Sequence, residues 1–171
     1  KNQIWPMVRL GDIADIGTGN SAPQDEALFS NGVYPFFRTS DVGKYHITDN
    51  LIESRDKLNE KGIENLRLFP KGTILFPKSG ASTFLNHRAV LGIDGYVSSH
   101  LATIIPDEKV VLSKFLFRLL INIDARDLTP DQNYPSLKIT ELFNIQIPLP
   151  TIEIQRKIIS EIENYQKIID G

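Results

Sequence analysis

One loop of the sequence combines the residue types that proteins use on phosphate oxygens and base edges. It contains an ammonium group, several hydroxyl groups and a glycine, carried by Lys78, Ser79, Gly80, Ser82 and Thr83. Backbone N–H groups and hydroxyls in such a loop can position a phosphate backbone. Asn86, His87 and Arg88 follow, and Asn and Arg can bind adenine and guanine bidentately in a major groove. This segment could therefore both position and read a nucleic acid; a solvated hairpin loop is the alternative.

Two further polar segments could join this loop at a recognition surface. The first ends a predicted strand over residues 33–38 and comprises Arg38, Thr39 and Ser40. The second comprises Gln132, Asn133, Tyr134 and Lys138. Loops held by a rigid scaffold commonly carry binding groups, and side-chain amides suit adenine. The alternative is that both segments are ordinary turns, since Asp, Asn and Ser side chains bind their own backbone.

Charge is unevenly distributed along the chain. The net charge is −2, which argues against a protein that coats nucleic acid indiscriminately, because such binding depends on neutralising phosphates. Residues 65–93, however, contain no Asp or Glu and carry Arg67, Lys71, Lys78 and Arg88, which leaves about −6 for the rest of the chain. This segregation is typical of a basic strip that touches a few phosphates, and chance clustering is the alternative.

Catalytic and metal-binding motifs are weak. His46, His87 and His100 are not spaced as metal ligands, and the chain has no Cys to complete a zinc site. Asp107 and Lys109 have the spacing seen in metal-dependent nucleases, but they stand at the start of a predicted helix, where acidic residues serve as caps. We therefore expect no catalytic residue, no metal site and no cofactor in this chain.

The periodicity of apolar residues predicts an α+β fold with a compact mixed sheet. Strand-like runs cover residues 7–10, 33–38, 72–76 and 96–105. Helices are predicted over residues 54–61, 110–123 and 136–143. One face of the strand over 96–105 should be buried, and it carries Val97, Leu101, Thr103 and Ile105. Because strands and helices do not alternate strictly, α+β is favoured over a doubly wound parallel sheet.

A proline-rich junction separates this domain from a C-terminal helix. The run Ile147-Pro148-Leu149-Pro150 ends a strand, and Thr151 is the predicted N-cap of the helix that follows. The heptad-spaced apolar residues of that helix are Ile158, Ile162, Tyr165 and Ile169. We predict a domain over residues 1–150 and a coiled-coil-like amphipathic helix over residues 151–171 that pairs with another helix.

This junction and the motifs before it resemble the specificity (S) subunits of type I restriction-modification systems. The motifs stand in the order expected for one target recognition domain with the start of a spacer helix, and the resemblance spans nearly the whole chain. They are Trp5 with VRLGDI at 8–13, YPFFRTSD at 34–41, GTILFPKSGA at 72–81 and NYPSL at 133–137.

The resemblance implies a DNA-binding module that directs other subunits and is not itself an enzyme. It would recognise one half of a bipartite target in double-stranded DNA, and its helix would pair with the spacer helix of a second target recognition domain. The implied partners are modification (methyltransferase) subunits, which use S-adenosylmethionine, and a restriction subunit, which uses ATP and Mg. From the sequence itself we expect a cytoplasmic location, because no apolar stretch is long enough for a membrane helix and the first residues lack the pattern of a signal peptide.

Two alternatives remain open at the level of the sequence. The domain could belong to a single-chain, type IIG-like restriction-modification enzyme in which methyltransferase and nuclease precede it. It could also be a protein-interaction module whose helix binds a partner and whose loops have no role with DNA. The chain begins at Lys1 and its heptad pattern still runs near Gly171, so we expect it to be part of a longer protein.

Overall fold

The computed structural model describes residues 4–171, which form ten strands and five α-helices. The strands are β1 (Met7–Arg9), β2 (Ala14–Thr18), β3 (Tyr34–Phe37), β4 (Thr48–Leu51), β5 (Asp56–Leu58), β6 (Ile74–Pro77), β7 (Ala89–Leu91), β8 (Tyr96–Val97), β9 (Leu101–Pro106) and β10 (Gln146–Pro148). The α-helices are α1 (Leu10–Ile13), α2 (Thr39–Lys44), α3 (Ser113–Leu120), α4 (Ile139–Phe143) and α5 (Ile152–Asp170). Short 3-10 helices cover Glu26–Phe29, Ala81–Leu85 and Ala125–Leu128.

The strands form a central sheet and two smaller ones. The central sheet has the order β2-β9-β6-β7-β4, and only the β4–β7 pair in it is parallel. A second sheet has the order β5-β3-β8, in which β3 runs antiparallel to β5 and parallel to β8. β1 and β10 form an antiparallel pair that brings the two ends of the domain together.

Alternation along the central strands divides their side chains between two cores. In β6, Ile74 and Phe76 belong to a core formed with the α-helices, whereas Leu75 belongs to a core shared with α2 and the β5-β3-β8 sheet. In β9, Leu101 and Ile105 pack with this second core, which confirms the buried face predicted from the sequence. The central sheet is therefore covered on both faces, and its strand ends are the parts left near the surface.

The α+β fold predicted from the sequence is confirmed, but one element has the wrong type. Residues 54–61 were expected to form a helix, and they instead contain β5, which pairs with β3 through Tyr34 and Leu58. Pairing as a strand buries Leu58 completely beside Phe36. Long-range pairing and burial therefore override the local helix preference.

Three other predicted elements differ in extent. The strand expected over 96–105 is split into β8 and β9, because the two halves belong to different sheets and a turn at 98–100 joins them. The helix expected over 110–123 is α3, which begins only at Ser113. The helix expected over 136–143 is α4, since the residues before Ile139 pair with the loop after β6.

The junction into α5 is anchored to the domain by backbone pairing. Val8 and Ile147 are register partners in the β1–β10 pair, and the Leu149 N–H donates to the Pro6 carbonyl at 2.8 Å. The Thr151 hydroxyl accepts a hydrogen bond from the Ile154 N–H at 3.4 Å, which confirms the predicted N-cap. The helix therefore begins directly from a paired strand, with no free linker between them.

Gln155, on the first turn of α5, is completely buried. Its side-chain oxygen accepts from the Leu112 N–H at 2.8 Å. Its side-chain N–H groups donate to the carbonyls of Val110 and Pro150, both at 2.9 Å. We call these three hydrogen bonds the Gln155 latch; they tie the helix to the chain before α3 and to its own junction.

The next turns of α5 remain in contact with the domain. Ile158 and Ile159 pack against the core on the helix side of the central sheet. Lys114 of α3 lies 3.0 Å from the Glu163 carboxylate and 3.7 Å from that of Asp49, so it connects α5, α3 and the end of the central sheet. The helix is thus held at its first three turns, although the exposed ion pairs add little stability of their own.

The residues predicted to pair α5 with another helix fall on two different surfaces. Ile158 is half-buried against the domain's own core, and its pairing with another helix stays a prediction. Ile162 is half-buried beside α3. Tyr165 and Ile169 are 69% and 75% exposed, and Ile168 between them is 74% exposed. The apolar surface left uncovered therefore lies on the last turns of the helix.

Replacing Gln155 with Ala should lower the free energy of unfolding by about 2–3 kcal/mol. A buried N–H and two carbonyls would lose their partner, and that loss is larger than the net contribution of an exposed hydrogen bond. Gln166 is a matched control on the same helix, since its side chain binds only Asp170 at the surface. Gln166→Ala should change stability by less than about 0.5 kcal/mol in urea denaturation followed by circular dichroism. Equal effects of the two substitutions would contradict the latch.

Candidate nucleic-acid interface

Several strand ends meet at one edge of the central sheet. Register pairs Thr18, at the end of β2, with Ala102 near the start of β9, and Pro77, at the end of β6, with Leu101. The second sheet reaches the same edge, because the Ser98 N–H donates to the Phe37 carbonyl at 2.9 Å. The loops at these ends therefore form one surface. We call it the rim and define it as residues 38–40, 78–83, 98–100 and 131–138.

Two of the loops predicted to contact nucleic acid are bound to each other in the rim. The Leu137 N–H donates to the Lys78 carbonyl at 2.7 Å, and the Gly80 N–H donates to the Pro135 carbonyl at 3.1 Å. Ser79 and Ser136 form an isolated antiparallel bridge. The loops around 80 and 135 are distant in sequence, yet backbone hydrogen bonds make them a single ledge.

His100 lies at the centre of the rim and was considered in the sequence only as a metal ligand. Its carbonyl accepts from the Lys78 N–H at 3.1 Å, and its ring Nδ1 lies 2.8 Å from the Ser79 hydroxyl oxygen. The side chain is exposed. The polar run Ser98-Ser99-His100 interrupts an otherwise apolar stretch, and it could have indicated a turn between two strands. Such a turn would have predicted that His100 lies at this edge of the sheet.

Seven of the fifteen predicted contact residues present uncommitted side chains at the rim. Within residues 4–171, these side chains make no hydrogen bond and no ion pair, and they are exposed or half-buried: Thr39, Ser40, Lys78, Ser82, Asn133, Tyr134 and Lys138. The Gln132 amide makes one long contact of 3.4 Å to the Arg126 carbonyl. Tyr134 is 68% exposed at the tip of its loop. The rim therefore offers hydroxyl, amide and ammonium groups to an external partner.

Arg38 is held more firmly than the rest of the rim. Its Nε lies 2.6 Å from the Asp56 carboxylate, and its guanidinium carbon lies 5.0 Å from the ring centre of Phe36. Burial raises the pKa of Asp56, but hydrogen bonds from Arg55 and Arg38 outweigh it and leave this pKa below its ordinary value. Arg38 therefore has a fixed direction at the end of β3, with part of its guanidinium facing solvent.

Two predicted contact residues are buried, and the prediction is wrong for them. The Thr83 hydroxyl donates to the Pro135 carbonyl at 3.1 Å, so it joins the two loops from inside. Arg88 is 0% exposed, and its guanidinium carbon lies 3.4 Å from the centre of the Phe76 ring. Neither side chain can reach a duplex at the surface, because both are packed in the domain interior.

Arg88 holds the base of the loop after β6. Its terminal nitrogens donate to the carbonyls of His87 and Ile123 at 2.8 and 3.1 Å, while its buried Nε has no partner among residues 4–171. Burial lowers the pKa of Arg88 to about 9, although the nearby Asp124 carboxylate acts in the opposite direction. The guanidinium remains charged at neutral pH and joins the loop to residues 123–125.

Asn86 and His87 are also engaged with the domain. The Asn86 amide donates to Asp124 at 3.1 Å and accepts from the Ala125 N–H at 2.9 Å. The half-buried His87 ring lies 4.9 Å from the His46 ring, and His46 accepts from the Arg88 N–H at 3.0 Å. Burial, and then the charges of His46 and Arg88, lower the pKa of His87.

The basic strip expected from residues 65–93 is not a continuous surface. Arg88 is internal, and Arg67 lies 3.3 Å from the Asp15 carboxylate. Lys71 and Lys78 lie at opposite ends of β6, so only Lys78 belongs to the rim. The four basic residues of this segment are therefore separated in the structure. Arg88 is internal, Arg67 is in an ion pair, and Lys71 and Lys78 lie on two different surfaces.

Two cavities flank these features. One of about 250 Å³ adjoins the rim and is lined by Thr129, Pro130, Asp131, Tyr134, Ser136 and Lys138, with Glu141 beside them. A groove of about 430 Å³ lies at the other end of the central sheet, between Lys71, Ser113 and Ile159. Residues 4–171 contain no group of three or more His, Asp or Glu placed to hold a metal ion. No helix in the same range has the length and apolar character needed to cross a membrane.

Comparison with known proteins shows the class to which this fold and rim belong. The family model described as "Type I restriction modification DNA specificity domain" matches residues 2–170. The chain belongs to this family, as the motifs in the sequence predicted. It is 30% identical over 173 residues to the type I restriction enzyme MjaIX specificity subunit of Methanocaldococcus jannaschii.

That match covers 98% of this chain and 39% of the relative, so the chain spans about two fifths of the length of the curated relative it matches. Among solved structures, a chain from a study of assembly and conformational transition in the type I R-M system is similar with a TM-score of 0.76 and 22% identity, over 97% of this chain and 39% of that one. The HsdS subunit of Thermoanaerobacter tengcongensis is similar with a TM-score of 0.69 and 23% identity, over 97% and 38%. These likenesses show a shared fold.

Replacing Arg88 with Ala should lower the free energy of unfolding by about 3 kcal/mol, because it opens space against Phe76 and frees two carbonyls. Arg126 is a matched control, since it also stacks on a phenylalanine, with 4.9 Å to the Phe84 ring centre, but is half exposed. Arg126→Ala should cost less than about 1 kcal/mol in thermal or urea unfolding. A loss for Arg88→Ala no greater than that of the control would contradict an internal role.

Stability should fall as pH is lowered through the range just below 6.5, the ordinary pKa of His87. The folded pKa is lower, so in this range the unfolded chain binds more protons and stability decreases with decreasing pH. The carboxylates Asp56 and Asp124 contribute only further down, below their ordinary value of 3.8. Melting temperatures measured between pH 7.5 and 5 should fall in the wild type and fall less in His87→Gln. Identical profiles would show that His87 is not the group responsible.

Proposed function

We propose that the rim reads one half of a bipartite target in double-stranded DNA. The chain would then be the target recognition domain of a type I specificity subunit, and it would direct methylation and restriction without catalysing either. The observation that carries this proposal is the ledge formed by the loops at 78–83 and 131–138 with His100. It places uncommitted hydroxyl, amide and ammonium groups side by side, which are the groups used on phosphates and base edges.

The charge of the rim supports an anionic partner. Lys78 and Lys138 are its cations without an ion pair among residues 4–171, Arg38 is a third cation that is paired with Asp56, and Asp131 is its acidic residue. The Asp131 carboxylate already accepts from the Asn133 N–H at 3.0 Å, so it is engaged in its own turn. A few cations on a chain of net charge −2 suit a reader that touches some phosphates and obtains its specificity from bases.

The exposed end of α5 supports pairing with a second helix. Tyr165, Ile168 and Ile169 leave an apolar surface beyond the turns that pack on the domain. We propose that the spacer helix of a second target recognition domain covers this surface, which would hold two reading domains at a fixed separation. The size of the relative, of which this chain covers 39%, leaves room for such a second domain.

The cofactor chemistry of the system would lie in partner subunits. We propose that modification subunits supply S-adenosylmethionine-dependent methylation and that a restriction subunit supplies ATP- and Mg-dependent action, in the cytoplasm. Support for these partners comes from the family and from the naming of the similar proteins as subunits of type I systems. The role of this chain would be confined to recognition and to holding its helix.

Selection from a randomised duplex library tests the proposal. The chain is incubated with the library at low salt, and the retained duplexes are sequenced; if the chain binds weakly alone, the selection is repeated in complex with modification subunits. We expect a short enriched motif that represents half a target. Absence of enrichment in both formats would contradict the proposal and favour a protein-interaction module.

Substitution at the two ends of β6 then locates the contact. Lys78→Ala should weaken binding to the enriched duplex and reduce the salt dependence by about one phosphate contact. Lys71→Ala is the matched control, since it removes the same charge at the far end of the same strand. Equal effects of both substitutions would show that binding reflects net charge and not the rim.

A further inference from the structure

We propose that His100 reads a base edge and that the hydrogen bond to the Ser79 hydroxyl fixes the orientation of its ring for this purpose. The inference deepens the proposed function and rests on it, because it assigns a reading residue within the rim. His100 was not among the residues predicted from the sequence to contact DNA. Its candidacy comes entirely from the position that the fold gives it.

The backbone of His100 is fixed on both sides. Its carbonyl accepts from the Lys78 N–H at 3.1 Å, and its N–H donates to the Ser98 hydroxyl at 3.3 Å. Ser98 is itself buried and donates its N–H to the Phe37 carbonyl at 2.9 Å. The loop at 78–83 and the turn at 98–100 therefore both hold this residue, and the turn is tied in its place to the end of β3.

The ring of His100 is oriented as well as positioned. Nδ1 lies 2.8 Å from the Ser79 hydroxyl oxygen, which leaves Nε2 as the nitrogen directed elsewhere on an exposed side chain. An exposed hydrogen bond of this kind contributes little to stability. A preorganised contact instead requires an imidazole held at the surface in one orientation. The side-chain entropy is then already lost in the free protein and is not lost again on binding.

With Nδ1 bound to the Ser79 hydroxyl, Nε2 of His100 can be either a donor or an acceptor. If the Ser79 hydroxyl donates to Nδ1, then Nε2 carries the proton and can donate to a purine N7 or to guanine O6. If the hydroxyl accepts from Nδ1, then Nε2 is an acceptor for the amino group of adenine or cytosine. Either state discriminates between bases in the major groove, so the pair can specify one position of a target.

Asn20, which is bridged to the turn of His100 through Ser98, and another histidine, His46, are committed to the fold. The Asn20 amide accepts from the Arg67 N–H at 2.8 Å and donates to the Arg67 carbonyl at 2.9 Å. His46 accepts from the Arg88 N–H and packs on His87. Within residues 4–171, by contrast, the His100 ring has a hydrogen bond only to Ser79, which is another rim residue.

The test compares enriched motifs. Wild type, His100→Ala, Ser79→Ala and Lys71→Ala are each taken through the randomised duplex selection in the format in which the wild type succeeds. We expect His100→Ala to lose about five-fold or more of the preference at one base pair and to keep the others, since a good base contact discriminates by about that factor or more. Ser79→Ala should weaken the preference at the same base pair, and Lys71→Ala should leave the motif unchanged.

The outcomes separate this inference from the proposed function. If the wild type enriches nothing, the proposed function fails and the inference fails with it. If the wild type enriches a motif that His100→Ala retains in full, only the inference is overturned. A uniform loss of affinity with an unchanged motif also overturns it, because that result means a phosphate contact. A Ser79→Ala effect at a different base pair would overturn the coupling between the two residues. Unchanged melting temperatures, expected for exposed positions, exclude unfolding as the cause.

Discussion

The Gln155 latch is the interaction on which the rest of the arrangement depends. Gln155 is buried between the start of α5 and the segment before α3, and both its side-chain oxygen and its side-chain N–H groups are hydrogen-bonded. These bonds fix the direction in which the helix leaves the domain. The anchor is continuous with the central sheet, since the Ser113 hydroxyl donates to the Gly72 carbonyl at 2.6 Å just before β6. β6 then runs from this anchor to the rim. The rim and the start of α5 thus lie at opposite ends of one strand, so the rigid strand fixes the position of one relative to the other.

The rim depends on long-range backbone pairing more than on any single loop. Residues near 80, 100 and 136 come together because β6 and β9 are neighbours and because the segment before α4 pairs with the loop after β6. Buried side chains support this surface from below. Thr83 joins the two loops, and Arg88 joins the end of the loop after β6 to residues 123–125. Because Thr83 and Arg88 hold the loops in place from inside, the exposed side chains of the rim are not needed for that purpose. Such a division between exposed polar groups and the residues that hold them is common in proteins.

The sequence was most predictive where local rules decide the outcome. The Thr151 N-cap, the proline-terminated strand and the buried face of β9 follow from short-range chemistry and period-two alternation, and all are present. The errors arose where a distant partner decides. Residues 54–61 contain a strand because β3 lies beside them, and Arg88 is buried because its guanidinium packs on the Phe76 ring. His100 was missed because a continuous apolar run conceals a change of sheet, and only the three-dimensional register brings it beside Ser79.

Hydrogen exchange of the chain, in its binding-competent form, with and without the duplex it selects would test the placement of the DNA face most directly. Amide exchange reports protection segment by segment, so it distinguishes the two ends of β6 in one experiment. We expect slower exchange at residues 38–40, 78–83, 98–100 and 131–138, with no change at 71–73 and 110–114. Protection confined to the Lys71 end or to α5, with an unchanged rim, would contradict the assignment of the rim as the surface that reads DNA.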